Sequence, residues 1–85
     1  MTHDDLIYEI EQRMSKSDTR YGPFTSTHEA LGVALEEWNE LQAAVRDNNQ
    51  MAVEHECLDL AAVLIRLARV SACFASITQR MYSRR

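Results

Sequence analysis

Residues 26–70 read STHEALGVALEEWNELQAAVRDNNQMAVEHECLDLAAVLIRLARV. The stretch carries two helical periods separated by one turn signal. Leu31, Ala34, Leu35, Trp38, Leu41, Gln42 and Val45 recur at helical spacing, so they form one stripe of a helix. Ser26-Thr27-His28-Glu29 opens that helix as a capping box, with Ser at the N-cap and Glu three residues on. Asp47-Asn48-Asn49 closes it, because short polar side chains compete for backbone hydrogen bonds. A third helix then runs from near Gln50 to about Val70. Leu58, Leu60, Ala61, Val63, Leu64, Ile65, Leu67 and Ala68 cover nearly its whole circumference, the pattern of a buried helix.

Outward from this hairpin, the chain stays helical. It has two Gly and one Pro in 85 residues, and Gly32 is the last breaker. Leu6, Ile7, Ile10 and Met14 predict a first helix over about Asp4 to Ser17, with Asp4 and Asp5 at the positive end of its dipole. Ser17 to Thr27 reads as a loop turning at Tyr21-Gly22-Pro23-Phe24. Ser71 to Tyr82 either extends the third helix or forms a fourth. The expected fold is therefore all-α, a bundle of three to four helices in a single domain over residues 1–85.

Composition bounds the function. The net charge is −4, against the basic patch of a nucleic-acid surface. Arg80, Arg84 and Arg85 make only a short basic end, read as solvated. The most apolar run, Leu58 to Val70, is short and interrupted by Asp59, Arg66 and Arg69, so no membrane span is expected. Met1 to Tyr8 lacks an apolar signal core. Cys57 and Cys73 make no metal-binding or disulfide pattern and read as free buried thiols, which fits a reducing cytoplasm. Hydrophobic residues are 46% of the chain, more than a small monomer hides, which predicts a homo-oligomer.

Two acidic pairs carry the chemistry. Glu37 with Glu40 and Glu56 with Asp59 are the only acidic residues spaced i, i+3, so each pair shares a helix face. A lone pair of this kind is an ordinary solvated surface. Two pairs in apolar helices, at similar height about one turn, are more specific: together they make an oxygen cage for a hard divalent cation such as Mg²⁺. On a helical wheel Glu37 edges the Leu31–Leu35–Trp38 stripe, Glu40 lies beside Val33 and Ala44, and Glu36 turns further away. Glu56 and Asp59 share a face with Ala52, Val63 and Arg66, so Arg66 is expected to reach a phosphate held by the metal. No Glu has a His three residues later, which argues against a di-iron bundle. His28, His55, Tyr21 and Phe24 are read first as local structure, and Trp38 as core.

The motif Glu36-Glu37-Trp38-Asn39-Glu40 followed by Glu56-Cys57-Leu58-Asp59 resembles that of MazG-like proteins of the all-α nucleoside triphosphate pyrophosphohydrolase superfamily, most of all small bacteriophage and mobile-element members. The resemblance covers His28 to Arg69, about half the chain. It implies hydrolysis of a nucleoside triphosphate to the monophosphate and pyrophosphate. It implies Mg²⁺, with Mn²⁺ as a substitute, on Glu37, Glu40, Glu56 and Asp59. Glu36 would be an outer or additional ligand or would position water, and Glu36 or Glu40 would take the water's proton. Arg66 and Arg69 would hold phosphates. Relatives assemble as dimers or tetramers. The competing expectation is a non-enzymatic helical oligomer, or a catalytically degenerate member of the family.

Overall fold

A computed structural model describes residues 1–83, with side chains described through Phe74. It contains three helices and no strands: α1 over His3–Tyr21, α2 over Thr27–Arg46 and α3 over Gln50–Ser83. Both α1 and α2 lie against α3, which is the central element. Among the described residues no helix is long and apolar enough to cross a membrane.

Each helix begins where local chemistry dictates. At α1, Thr2 Oγ1 accepts from Asp5 N at 3.2 Å while Asp5 Oδ2 accepts from Thr2 N at 3.0 Å, a complete capping box. At α2, Ser26 Oγ accepts from Glu29 N at 3.0 Å. The Glu29 carboxylate reaches one residue further back than expected and accepts from Thr25 N and Thr25 Oγ1. Ser26→Ala therefore removes one reciprocal arm and should cost about 1 kcal/mol, read as a lower urea midpoint by circular dichroism. At α3, Asn49 Oδ1 accepts from Ala52 N, so the third residue of the Asp47-Asn48-Asn49 turn is itself an N-cap. Asn48 takes a positive φ of 53°, a conformation Asn tolerates better than most residues.

Two boundaries differ from expectation. The first helix continues past Ser17 to Tyr21, where Gly22 at φ 73° closes it and donates to Asp18 O at 3.0 Å. Asp18 and Thr19 are locally turn-prone, but Arg66 and Arg69 on α3 hold Asp18 in place, and tertiary pairing overrides the local preference. The loop is accordingly short, residues 22–26. The third helix absorbs residues 71–83 instead of bending into a fourth, as the lack of any Gly or Pro after Gly32 permits.

The larger correction concerns which side of α2 faces inward. Its buried residues are Ala30, Ala34 and Ala44; those of α3, against which it lies, are Leu58, Ala62, Val63 and Arg66. Small side chains let the two helices approach closely, so the alanine face wins the interface. Leu31, Leu35, Trp38 and Val45, expected as the core stripe, are on the outside, with Trp38 47% exposed. On α3, Leu64 and Ile65 are exposed in the single chain as well. Cys57 and Cys73 are also exposed, not buried. Among the described residues no large side chain is completely enclosed.

Candidate metal centre

The close packing of α2 on α3 determines where the acids meet. Glu37 sits in register with the inward alanines of α2, and Glu56 lies two residues before buried Leu58 on α3. Oxygen atoms of Glu37, Glu40 and Glu56 come within 4.8 Å of one another. Ligand atoms of His55, Glu56 and Asp59 form a second group of the same span. Glu56 belongs to both groups and so links the four acids singled out by spacing, with Asp59 in the second group and Glu37 and Glu40 in the first. Glu40 is exposed, whereas Glu37, Glu56 and Asp59 are half-buried.

The electrostatics are unfavourable without a cation. Glu37 Oε2 and Glu56 Oε2 are inaccessible to solvent and have no hydrogen-bond partner. Burial, and then the charges of Glu40, Asp59 and Glu56, push the Glu37 carboxyl up to about 7. Burial also raises Glu56, reinforced by Glu40 and Asp59, with His55 acting in the opposite direction. Two facing carboxylates with no protein donor between them call for a shared proton, a bridging water or a cation. Glu37, Glu40 and Glu56 offer only oxygens and include the orphaned buried atoms, a set that suits a hard divalent ion such as Mg²⁺; the second group adds the His55 imidazole.

Asp59 differs from the other three. Arg13 on α1 donates from Nε to Asp59 Oδ1 at 2.8 Å, and His55 Nε2 lies 3.2 Å from Asp59 Oδ2. Arg13 Nη2 meets His55 Nδ1 at 3.2 Å, and Arg13 Nη1 pairs with Glu9 at 3.0 Å. Arg13, His55 and Asp59 thus close a ring of three contacts. Arg13 was not expected at the site: it lies 46 residues from Asp59 in sequence. Its only signal was a cation on the polar face of an amphipathic first helix.

A cavity of about 360 Å³ opens beside the cluster, lined by Arg13, Tyr21, Glu36, Glu37, Asp59 and Arg66 among others. The structure therefore brings Glu36 to the cavity wall next to Glu37. Arg66 lines the same cavity, yet its guanidinium is already engaged. It is 4% exposed, donates to Asp18 Oδ1 at 3.1 Å and Gly22 O at 2.8 Å, and stacks 4.2 Å from the centre of the Phe24 ring. Arg69 is exposed and is spent on both oxygens of Asp18. Partial burial opposes the charged form of Asp18, but hydrogen bonds and charge from Arg69 and Arg66 outweigh it and hold the carboxyl below its usual value.

No family model, curated protein or solved structure matches the chain.

Proposed function

We propose that the protein is a Mg²⁺-dependent nucleoside triphosphate pyrophosphohydrolase, converting an NTP or dNTP and water to the monophosphate and pyrophosphate. The two orphaned carboxylate oxygens of Glu37 and Glu56, buried inside a four-acid cluster, carry the assignment. Glu37, Glu40, Glu56 and Asp59 would hold the metal. A divalent cation there supplies charge neutralisation and polarisation of phosphate oxygens, and Mn²⁺ would serve in its place.

The chain's own groups account for the rest. The adjoining cavity is of small-ligand size and combines acids and guanidinium groups in its lining. Glu36, on the cavity wall, and Glu40, the exposed member of the cluster, are the carboxylates that would accept a proton from an attacking water. In the reaction the water oxygen bonds to the α-phosphorus and the bond from that phosphorus to the α,β-bridging oxygen breaks. The proton passes to the carboxylate and pyrophosphate leaves. Arg66, in the cavity lining, would add positive potential for the phosphates, and Arg69, which lies outside that lining and shares Asp18 with it, would do so from further away.

The working unit is a homodimer or homotetramer. Leu31, Leu35, Trp38 and Val45 leave a long apolar face on α2, continuous with a groove lined by Leu41, Val53 and Cys57. This same face supports the second reading, an interaction protein that oligomerises through α2 and α3 without catalysis.

Incubation with a panel of canonical and modified NTPs and dNTPs plus Mg²⁺ separates the two. Monophosphate and pyrophosphate should appear together. Glu40→Gln, at an exposed position, should leave helicity intact and lower the rate by at least about a hundredfold. Release of orthophosphate alone, or no turnover of any nucleotide, would sink the enzymatic reading.

A further inference from the structure

We propose that Arg13 is the anion-receiving arm of the acid cluster: its guanidinium is stored on Asp59 and passes to a phosphate when a metal–phosphate complex enters. The inference rests on the metal reading above and adds to it a residue from outside both acidic motifs.

The geometry that supports it is specific to Arg13. Among the described residues two guanidiniums line the cavity, Arg13 and Arg66, and a third, Arg69, shares Asp18 with Arg66; the latter two are committed elsewhere. Arg66 is held by a carboxylate, a backbone carbonyl and an aromatic face at once. Arg69 gives its Nη2 to both oxygens of Asp18. Arg13 alone is bonded directly to a member of the cluster, and it also lines the cavity. Its other partners, Glu9 and His55, are both more exposed than Arg13 itself, so they are replaceable at lower cost.

Asp59 is also the one acid of the inner three whose oxygens are both occupied, by Arg13 and by His55. Each carboxylate oxygen keeps a second lone pair, so Asp59 can turn towards a cation without losing Arg13 altogether. The Arg13 charge then stands beside the incoming positive charge and opposes it. A phosphate reverses the sign. An anion held at the cluster gives Arg13 a bidentate partner of its preferred geometry and removes the repulsion. Metal alone and metal with phosphate should therefore respond in opposite directions to loss of Arg13, which no purely structural role predicts.

The test is isothermal titration of the full chain with Mg²⁺ alone, and then with preformed Mg²⁺–pyrophosphate. Arg13→Gln should bind free Mg²⁺ more tightly than wild type, by about tenfold. The same variant should bind Mg²⁺–pyrophosphate more weakly, by about ten- to a hundredfold. Arg13→Lys keeps the charge and loses the fork. It should match wild type for Mg²⁺ and still bind Mg²⁺–pyrophosphate several-fold more weakly. It also decides the matter should the Gln variant fail to fold. If both affinities fall together, or neither moves, the proposal is overturned while the metal site stands. Glu56→Gln is the control on that site: no Mg²⁺ binding by wild type, or undiminished binding by this variant, would overturn the metal reading and this inference with it.

Discussion

Asp18→Ala should destabilise the protein by about 3 kcal/mol, the lower end of the range for breaking a buried pair, since Asp18 itself is partly exposed. The loss comes from what the substitution leaves behind. The Arg66 side chain is 5% exposed, and Asp18 is its carboxylate partner as well as that of Arg69. Removing the acid strands a buried guanidinium with only Gly22 O and the Phe24 ring as company. It also unfastens the end of α1, a helix with no buried residue of its own. A small domain of ordinary stability loses a large fraction of its margin this way. Asp18→Ala with Arg66→Met removes both charges and should recover much of the loss, since paired replacement by apolar groups is often neutral. Urea unfolding followed by circular dichroism measures both. A change below about 1 kcal/mol in the single variant would show that the clamp is dispensable. Acid has the same effect by another route. The Asp18 carboxyl is held below its ordinary 3.8, so the unfolded chain takes up its proton first. Its contribution is present above that value and disappears as the pH falls through the folded one.

The acid cluster should show the opposite pH dependence. Glu37 is raised from 4.5 to about 7, so between these values the folded state binds the proton that the unfolded state has released. Stability contributed by the protonated carboxyl is complete below pH 4.5 and is lost as the pH rises towards 7. In metal-free protein this amounts to at most about 3 kcal/mol. Glu37→Gln is a neutral isostere, so it should flatten the slope and raise the melting temperature at pH 7.5 by on the order of 10 °C. Mg²⁺ should do to wild type what the substitution does. At a concentration a hundred times its Kd it adds about 2.7 kcal/mol, and less at pH 5.5, where it must displace the proton. In Glu37→Gln the metal should give little further gain. Thermal melts of both proteins at pH 5.5 and 7.5, with and without Mg²⁺, check all of this. A wild-type melting temperature that Mg²⁺ leaves unmoved at pH 7.5 would count directly against the metal centre.

These two regions differ in how legible they were. The acid pairs were visible because i, i+3 spacing is a property of one helix, and their equal height followed from the Asp47-Asn48-Asn49 turn between the helices. Arg66 was visible on the same face as Asp59, but its engagement was not. Asp18 and Phe24, which occupy it, lie on and beyond a helix whose end the local sequence placed too early. Arg13 left almost no mark, since a cation on an exposed helix face is ordinary until a distant carboxylate is brought to it.

By itself the sequence determined the all-helical class, the starts of the three helices, the turn at residues 47–49 and the grouping of the four acids on two faces, and left open whether residues 71–82 formed a fourth helix. Each follows from interactions within a few residues: caps, breakers and the 3.6-residue period. Only the tertiary structure decided which face of α2 turns inward. Periodicity sets the angles between side chains on a helix, not the rotation of the helix against its neighbour. Packing set that rotation, by closing the alanine face of α2 onto α3. The same closure drew Glu37 inward to meet Glu56 and left Trp38 outside.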